Sequence, residues 1–358
     1  MNSLYRFSAF VLASIIVIGA IVYLESGSSQ RRELDADFEI LGITNWINSE
    51  PLTLEELRGK VVLVDFWTYS CNACIRTLPY LEAWHEKYNE FGFVIIGVHS
   101  PEFGFEKNLA NVEDAVKRFN VQYPVAMDNN FDTWRWFGNR FWPTKYLFNV
   151  DGNLRIQHSG EGGYETMEKI IQELLTQKGE DVSMIPLEPE DKYKSLDLGD
   201  PYEFNSTREL FAIGGIINDP DQSQEEVGKV ELFVDEGVHE SAGLYLRGRW
   251  VTMEDHVFHS EGSEGHLLIV YWGKATSPVI GSATGEPFNA IILLDGKPIP
   301  QGFAGADVRF DSEGNSFVFV EGPPRLYSII NANVANEKHE VKFLTDSGIA
   351  IWSVTFGV

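Results

Sequence analysis

The hydrophobic pattern of this chain changes period once, and that change limits it to a two-part fold. Between residues 38 and 178, continuous apolar runs alternate with stretches whose apolar residues recur every three or four positions. Residues 60–66 and 93–98 are runs of the first kind. Residues 74–89, with Ile75, Leu78, Leu81, Trp84 and Tyr88 at helical spacing, are of the second. Continuous apolar strands separated by helices imply a largely parallel or mixed central sheet covered on both faces. A helical turn at 53–59, a helix at 105–119 and a strand at 123–126 are also expected. A hairpin of 145–149 and 154–158 about Asp151-Gly152-Asn153, and a helix at 164–176, complete the α/β half. Beyond residue 200 short strands at 230–234, 242–250, 265–272, 288–294, 316–320, 340–344 and 349–356 follow one another across turns such as Asp295-Gly296. Seven or more strands without helices imply an antiparallel sandwich or jelly roll. The division expected is 1–32 as a membrane anchor or signal segment, 38–178 as the α/β domain, 179–200 as a linker and 201–358 as the β-sandwich. The linker, with Pro186, Pro189 and several acids, reads as an extended spacer.

The only two cysteines of the 358 residues stand three apart, in Cys71-Asn72-Ala73-Cys74, directly after the run Val61-Val62-Leu63-Val64-Asp65-Phe66. On a helix, positions i and i+3 share a face, so these sulfurs can meet in a disulfide. A helix beginning at Cys71 places the first sulfur beside unpaired N–H groups, which stabilise a thiolate, and the second a turn deeper. The spacing suits a redox dithiol. It also serves half a zinc site, but that needs two more ligands, there is no third cysteine, and the nearest histidines, His85 and His99, have no ligand spacing to the pair. A structural staple is the third reading. Asp65 is conspicuous within its apolar strand, because a buried carboxylate costs free energy unless paired or protonated. Burial should raise its pKa and make it a proton acceptor for Cys74; the alternative is a strand-edge aspartate reaching water.

Residues 7–23 are apolar except for Ser8 and Ser14, with Arg6 before them and a polar stretch after. No small-x-small cleavage site follows, which favours an uncleaved amino-terminal anchor over a cleaved signal, although Arg31 and Arg32 on the translocated side count against it. Either outcome places the cysteines outside the cytoplasm, on the periplasmic or cell-surface side. The net charge of −25 argues against nucleic acid and anionic membrane surfaces as partners. It is concentrated in the second half, where residues 179–358 hold 12 basic and 30 acidic side chains against 16 and 23 before them.

Three stretches carry a family resemblance: residues 64–74 with the Cys-x-x-Cys, Gly138-Asn139-Arg140-Phe141-Trp142-Pro143-Thr144-Lys145-Tyr146, and Gly160-Glu161-Gly162-Gly163-Tyr164. In this order they resemble the thioredoxin-like superfamily, and most closely the extracytoplasmic thioredoxin domain of DipZ proteins and the TlpA-type thiol reductases. The resemblance implies a thiol:disulfide oxidoreductase, acting as a reductase on protein disulfides, with Cys71 as nucleophile and Cys74 as resolving thiol. It implies no cofactor beyond that redox-active pair. Pro143 matches a cis-proline that packs against the disulfide and leaves the preceding carbonyl and N–H to a bound peptide. Trp67, Trp142 and Thr144 join it as substrate-binding residues, Trp67 chiefly as a shield over the disulfide. A separate membrane electron donor of the CcdA or DsbD type is implied, since DipZ proteins commonly carry one fused.

The second half resembles the β-sandwich appended to DipZ thioredoxin domains, itself similar to carbohydrate-binding modules, through 206–210, Leu246-x-Gly248-x-Trp250, 293–298, 325–327 and 354–357. A glycan ligand is therefore an expectation. Trp250, Tyr271 and Trp272 are candidates to stack on sugar, but alternating strand positions place such aromatics more often in a core. His256, His259 and His266 lack the ligand geometry of a metal site. A thiol peroxidase is the enzymatic rival, because Thr68-x-x-Cys71 imitates peroxiredoxin spacing, but Val64 stands where those enzymes have proline. A surface binding protein with a structural disulfide is the non-enzymatic rival.

Overall fold

The computed structural model describes residues 39–193, 207–216, 227–260, 264–332, 337–345 and 348–357. The apolar segment expected as an anchor lies outside these residues. Among the described residues, no helix is long and apolar enough to cross a membrane.

The first half builds on strand β2 (Val61–Trp67), buried along its whole length. It pairs in parallel with β3 (Phe93–His99) on one side and antiparallel with β5 (Thr144–Phe148) on the other. The six-stranded order is β1-β4-β3-β2-β5-β6, with β1 at Asn45–Ile47, β4 at Val125–Met127 and β6 at Leu154–Ser159. Successive side chains of a strand face opposite ways, so β2 feeds two cores. Val61, Leu63 and Trp67 meet helices α2 (Asn72–Tyr88) and α5 (Tyr164–Lys178), while Val62, Val64 and Phe66 meet Phe137 of α4 (Asp132–Phe137). Burying each such side chain stabilises the fold by roughly 1.5–3 kcal/mol relative to exposure. Helix α1 (Leu54–Leu57) starts at a capping box, where the Thr53 hydroxyl accepts from Glu56 N–H and the Glu56 carboxylate accepts from Thr53 N–H at 2.8 Å. The helix expected at 105–119 divides into a 3-10 turn (Gly104–Lys107) and α3 (Leu109–Arg118), with Asn108 capping the second. Strand β1 and helix α4 have no counterpart in the sequence reading. Both are too short to show a period.

Residues 179–193 correct the linker expectation. They lie back across α2 and α5 as a strap, with Val182 and Glu188 buried. Lys87 holds the strap, reaching Glu188 at 2.6 Å, Glu168 of α5 at 2.9 Å and the Pro186 carbonyl at 2.7 Å. Glu168 also accepts from the Tyr88 hydroxyl and from Glu188 N–H. Tyr80 donates to the Glu190 carbonyl and stacks on Tyr164 with ring centroids 3.6 Å apart. The acids that made this segment look solvated are partly the groups that dock it.

The second half is β-rich, and its described strand pairings are antiparallel along one path. Strand Gly243–Thr252 joins two portions of that path, pairing with Gly265–Trp272 through residues 243–247 and with Val257–His259 through residues 250–252. Gly248 marks the change, at φ +99° and with the Glu264 carbonyl where a Cβ would stand. Both portions contribute to one core around Leu246, Trp250, Ile269, Ile280, Ile351 and Phe343. Strand Ala275–Ser282 was not expected, because Thr276, Ser277 and Pro278 disguise it; it is the long partner of Ile349–Gly357.

The two halves meet at the turn following β3. Phe103 packs with Val279, Ala350 and Trp352, and Phe105 sets its edge against Trp352 at 4.9 Å. Gly104 N–H donates to Asp255 at 2.9 Å. Replacing Lys87 with alanine is expected to reduce unfolding free energy by about 3 kcal/mol, since Glu168 and Glu188 lose their cation inside the protein. Urea denaturation measures this, and a loss below about 1 kcal/mol would mean that apolar contacts alone hold the strap.

Candidate functional site

Strand β2 ends at Trp67, and the following turn delivers Cys71 to the amino end of α2 as its N-cap. Cys71 and Cys74 are joined as a disulfide, with Cα atoms 5.2 Å apart. The Cys71 sulfur accepts from the Cys74 N–H at 3.2 Å, the side-chain-to-backbone bond that a helix N-cap supplies. Cys71 is half-buried and Cys74 fully buried, so one sulfur is open to a partner and the other is not.

At the same end of the sheet, where Thr144 pairs with Phe66 of β2, runs the segment 138–144. The Trp142–Pro143 peptide is cis. Its neighbours fix the segment: Thr144 Oγ1 and Asn139 Nδ2 both donate to the Phe141 carbonyl, Trp142 Nε1 donates to the Ser100 carbonyl at 3.1 Å, and Gly160 N–H donates to the Pro143 carbonyl at 2.8 Å. This explains the third sequence motif. Gly160, Gly162 and Gly163 all take positive φ, which brings the chain past Pro143 and back into α5, while Glu161 forms a two-point ion pair with Arg76 of α2. Phe141, within this segment, is 61% exposed, and its place in the quoted motif gave it no role of its own. Trp142 is half-buried against Trp134.

Trp67 and Thr144, expected among the substrate-binding residues, both have fully buried side chains, as a shield over the disulfide requires of Trp67. Trp67 faces Gly97 and His99, and Thr144 turns its hydroxyl to the Phe141 carbonyl, so neither side chain meets a partner in solvent.

Asp65 lies on the same face of β2 as Val61, Leu63 and Trp67, the face that α2 and Cys74 cover. It is buried, which sets aside the strand-edge alternative. Its counter-ion is Lys145, the residue directly opposite on β5, with Nζ 3.3 Å from the carboxylate and itself buried. Burial raises the Asp65 pKa, and the nearby ammonium opposes the rise. Lys145 was quoted within a motif, but nothing in its strand pattern marked it as a partner. Only the register of an antiparallel pair brings the two together.

Glu106, also missed, supports the turn between β2 and Cys71 from the other side. One carboxylate oxygen accepts from Thr68 Oγ1 at 2.5 Å, Ser70 Oγ at 2.6 Å and Ser70 N–H at 3.2 Å; the other accepts from the N–H groups of Glu102 and Phe103. Burial pushes its pKa up, and these five donors pull against that rise. Thr68, the residue behind the peroxidase rival, thus donates to Glu106. His99, at the end of β3, stacks on Tyr69 and lies edge-on to Trp67, with Nε2 3.4 Å from Thr68 Oγ1.

In the second half, Trp250 and Tyr271 are fully buried core residues, which removes them as sugar platforms. The three histidines do not converge: His266 pairs with Asp235, His256 with Asp255, and His259 is buried against Trp250. Among the described residues, no group of three or more metal-ligating side chains gathers.

Residues 47–175 match the family model Redoxin, and residues 219–357 match the model of the thioredoxin like C-terminal domain. Protein DipZ of Mycobacterium tuberculosis is 29% identical over 335 residues, an alignment covering 92% of this chain and 44% of that protein. The chain therefore spans under half the length of that relative. Two Bacillus proteins align with the first half. The thiol-disulfide oxidoreductase YkuV of Bacillus subtilis is 26% identical over 39% of this chain and 93% of its own. The thiol-disulfide oxidoreductase ResA of Bacillus thuringiensis is 25% identical over 46% and 94%.

Burial holds His99 neutral in the folded protein, with its pKa lowered from 6.5 to about 3. The unfolded chain accepts the proton from about pH 6.5 downward and the folded one does not, so stability falls as pH drops from about 6.5 towards 3. His99→Gln removes that contribution. Between about pH 7 and pH 5 the variant should lose about 2 kcal/mol less stability than the wild type, read from denaturation curves at both pH values; equal losses would refute the assignment.

Proposed function

We propose that this chain, whose first half matches the Redoxin model and whose second half matches the model of the thioredoxin like C-terminal domain, is a thiol:disulfide oxidoreductase that reduces protein disulfides. The observation that carries the proposal is the pair itself. A half-buried Cys71 caps α2, a buried Cys74 stands one turn behind it, and cis-Pro143 ends a segment held by Ser100, Phe141 and Gly160.

In the reduced protein, the helix amino end and its free N–H groups stabilise the Cys71 thiolate. The thiolate attacks one sulfur of a substrate disulfide. A Cys71–substrate bond forms, the substrate S–S bond breaks, and the first substrate thiolate leaves and takes up from solvent the proton that Cys71 released on ionising. Cys74 then gives its proton to Asp65 and attacks the Cys71 sulfur, closing the Cys71–Cys74 disulfide and releasing the second substrate thiolate, to which the proton passes. The substrate gains two electrons and two protons, and the protein loses the same. Lys145 keeps Asp65 ionised enough to accept. The exposed ring of Phe141 and the peptide groups flanking Pro143 receive the substrate chain, while Trp67 and Thr144 act from beneath by packing.

The oxidised protein must be reduced again. A membrane electron donor of the CcdA or DsbD type is the partner proposed, with the chain held at the outer face of a membrane by residues 7–23. The second half, read as a β-sandwich, has a glycan as its proposed class of ligand, in a role separate from the thiol chemistry.

Reduced protein should catalyse insulin disulfide reduction. Cys71→Ser should abolish the activity and leave the protein folded, Cys74→Ser should accumulate mixed disulfides with its substrates, and Asp65→Asn should slow turnover by about tenfold or more. Turnover of hydrogen peroxide at least as fast as that of insulin would favour the peroxidase, and a Cys71→Ser protein that loses stability would favour a structural staple. A reduction potential near roughly −270 mV fits a reductase, and one near roughly −120 mV an oxidant.

A further inference from the structure

The turn after β3 touches two things at once. Its carboxylate, Glu106, takes the hydroxyls of Thr68 and Ser70 and the N–H of Ser70, the residue immediately before Cys71. Its apolar residues, Phe103 and Phe105, are covered by Trp352, Ala350 and Val279 of the second half. Asp255 accepts from Gly104 N–H at the crest of the turn, and its neighbour His256 stacks on Trp352 at 4.4 Å. The turn is thus clamped from both sides over five residues. We propose that Glu106 is a positioning residue for the Thr68–Cys71 segment, and that the second half of the chain acts as an intramolecular clamp on the redox centre by holding Glu106 in place through Phe105 and Gly104.

Geometry supports this in two ways. First, Glu106 takes five donors, two hydroxyls and three backbone N–H groups, divided three and two between its oxygens, an arrangement suited to an ionised carboxylate. A glutamine there leaves either the Ser70 N–H or both the Glu102 and Phe103 N–H groups facing its N–H₂ group and unpaired. Second, Phe105 on the short 3-10 turn lies between Trp352 of the second half and Tyr69, the residue before Ser70, and Phe103 stacks on it. Phe103 is nearly fully buried although it sits on a turn, and the residues that bury it come from the second half. Release of that half exposes Phe103 and Phe105 and frees the turn that carries Glu106. A buried negative charge held by the residue before Cys71 also disfavours the Cys71 thiolate relative to the disulfide, which suits a reductant. The inference deepens the thiol-exchange reading and rests on it for its purpose, but its geometry does not.

The test reads Cys71 directly. In the reduced full-length protein, the rate of Cys71 alkylation by iodoacetamide is followed against pH, which needs no disulfide substrate. Glu106→Gln is expected to move the profile to lower pH, with alkylation at about pH 6 at least threefold faster than in the wild type, because the opposing charge is gone. Insulin reduction should fall at least fivefold. Trp352→Ala, which leaves every group of the redox centre in place, is expected to shift the profile in the same direction by a smaller amount. Glu102, whose carboxyl burial pushes up to about 8 with Glu209 and Glu106 adding to the rise, and His99, which stays neutral, are present in all three proteins. A Glu106→Gln profile that superimposes on the wild type overturns the positioning role. A Trp352→Ala profile that superimposes overturns the clamp, and it decides the matter alone if Glu106→Gln does not fold. A protein that shows both shifts yet fails to reduce insulin keeps this inference and removes the reductase reading.

Discussion

Strand β2 is the constraint on which the first half depends. Its seven residues are buried on both faces, so neither face can slip to solvent and the register with β3 and β5 is fixed. Fixed register is what makes Asp65 face α2 and stand directly across from Lys145. It also fixes where Trp67 ends and therefore where Cys71 meets the helix. A strand with one wet face would have allowed a polar Asp65 to turn outward. Here the pairing of one carboxylate and one ammonium inside the sheet is the solution that remains, since an isolated charge at that depth costs far more than an ion pair.

The α/β half was largely legible because its elements are long enough to show their period. Strands β2 and β3 and helices α2 and α5 differ from the expected bounds by a few residues at most. The β half was legible where apolar residues alternate and obscure where they do not. Strand Ala275–Ser282 is polar in composition, yet its Thr276 and Ser277 are buried, because it lies between two other strands whose backbone groups it satisfies. The strap at 179–193 failed for a related reason. Charge is a signal of solvation only while its partner is unseen, and Lys87 stands 99 residues before Pro186 in sequence.

The redox pair was legible from spacing alone, and Asp65 from its strand. What sequence did not reveal were the groups that make these residues work together. Lys145 and Glu106 are common residue types in unremarkable local patterns. They matter because of long-range partners, Asp65 for one and Thr68 and Ser70 for the other, and a pattern confined to neighbouring positions carries no trace of such pairs. Trp67 was expected chiefly to pack and shield, and its place on the inward face of β2 commits it to the core.

The strap has a mechanical meaning as well. Tyr193, the last described residue of the strap, lies edge-on to Tyr80, well beyond the end of α5 at Lys178. Any pull transmitted along the connecting chain is therefore borne by Tyr80, Lys87 and the carboxylates around them, in the middle and carboxyl-terminal part of α2. The amino-terminal turn of that helix, where the two sulfurs sit, is anchored separately through Arg76 and Glu161. Load carried by the strap and chemistry thus enter one helix at opposite ends, so a pull along the strap reaches the thiols less directly than the contact of the second half with Phe105 and Gly104 does.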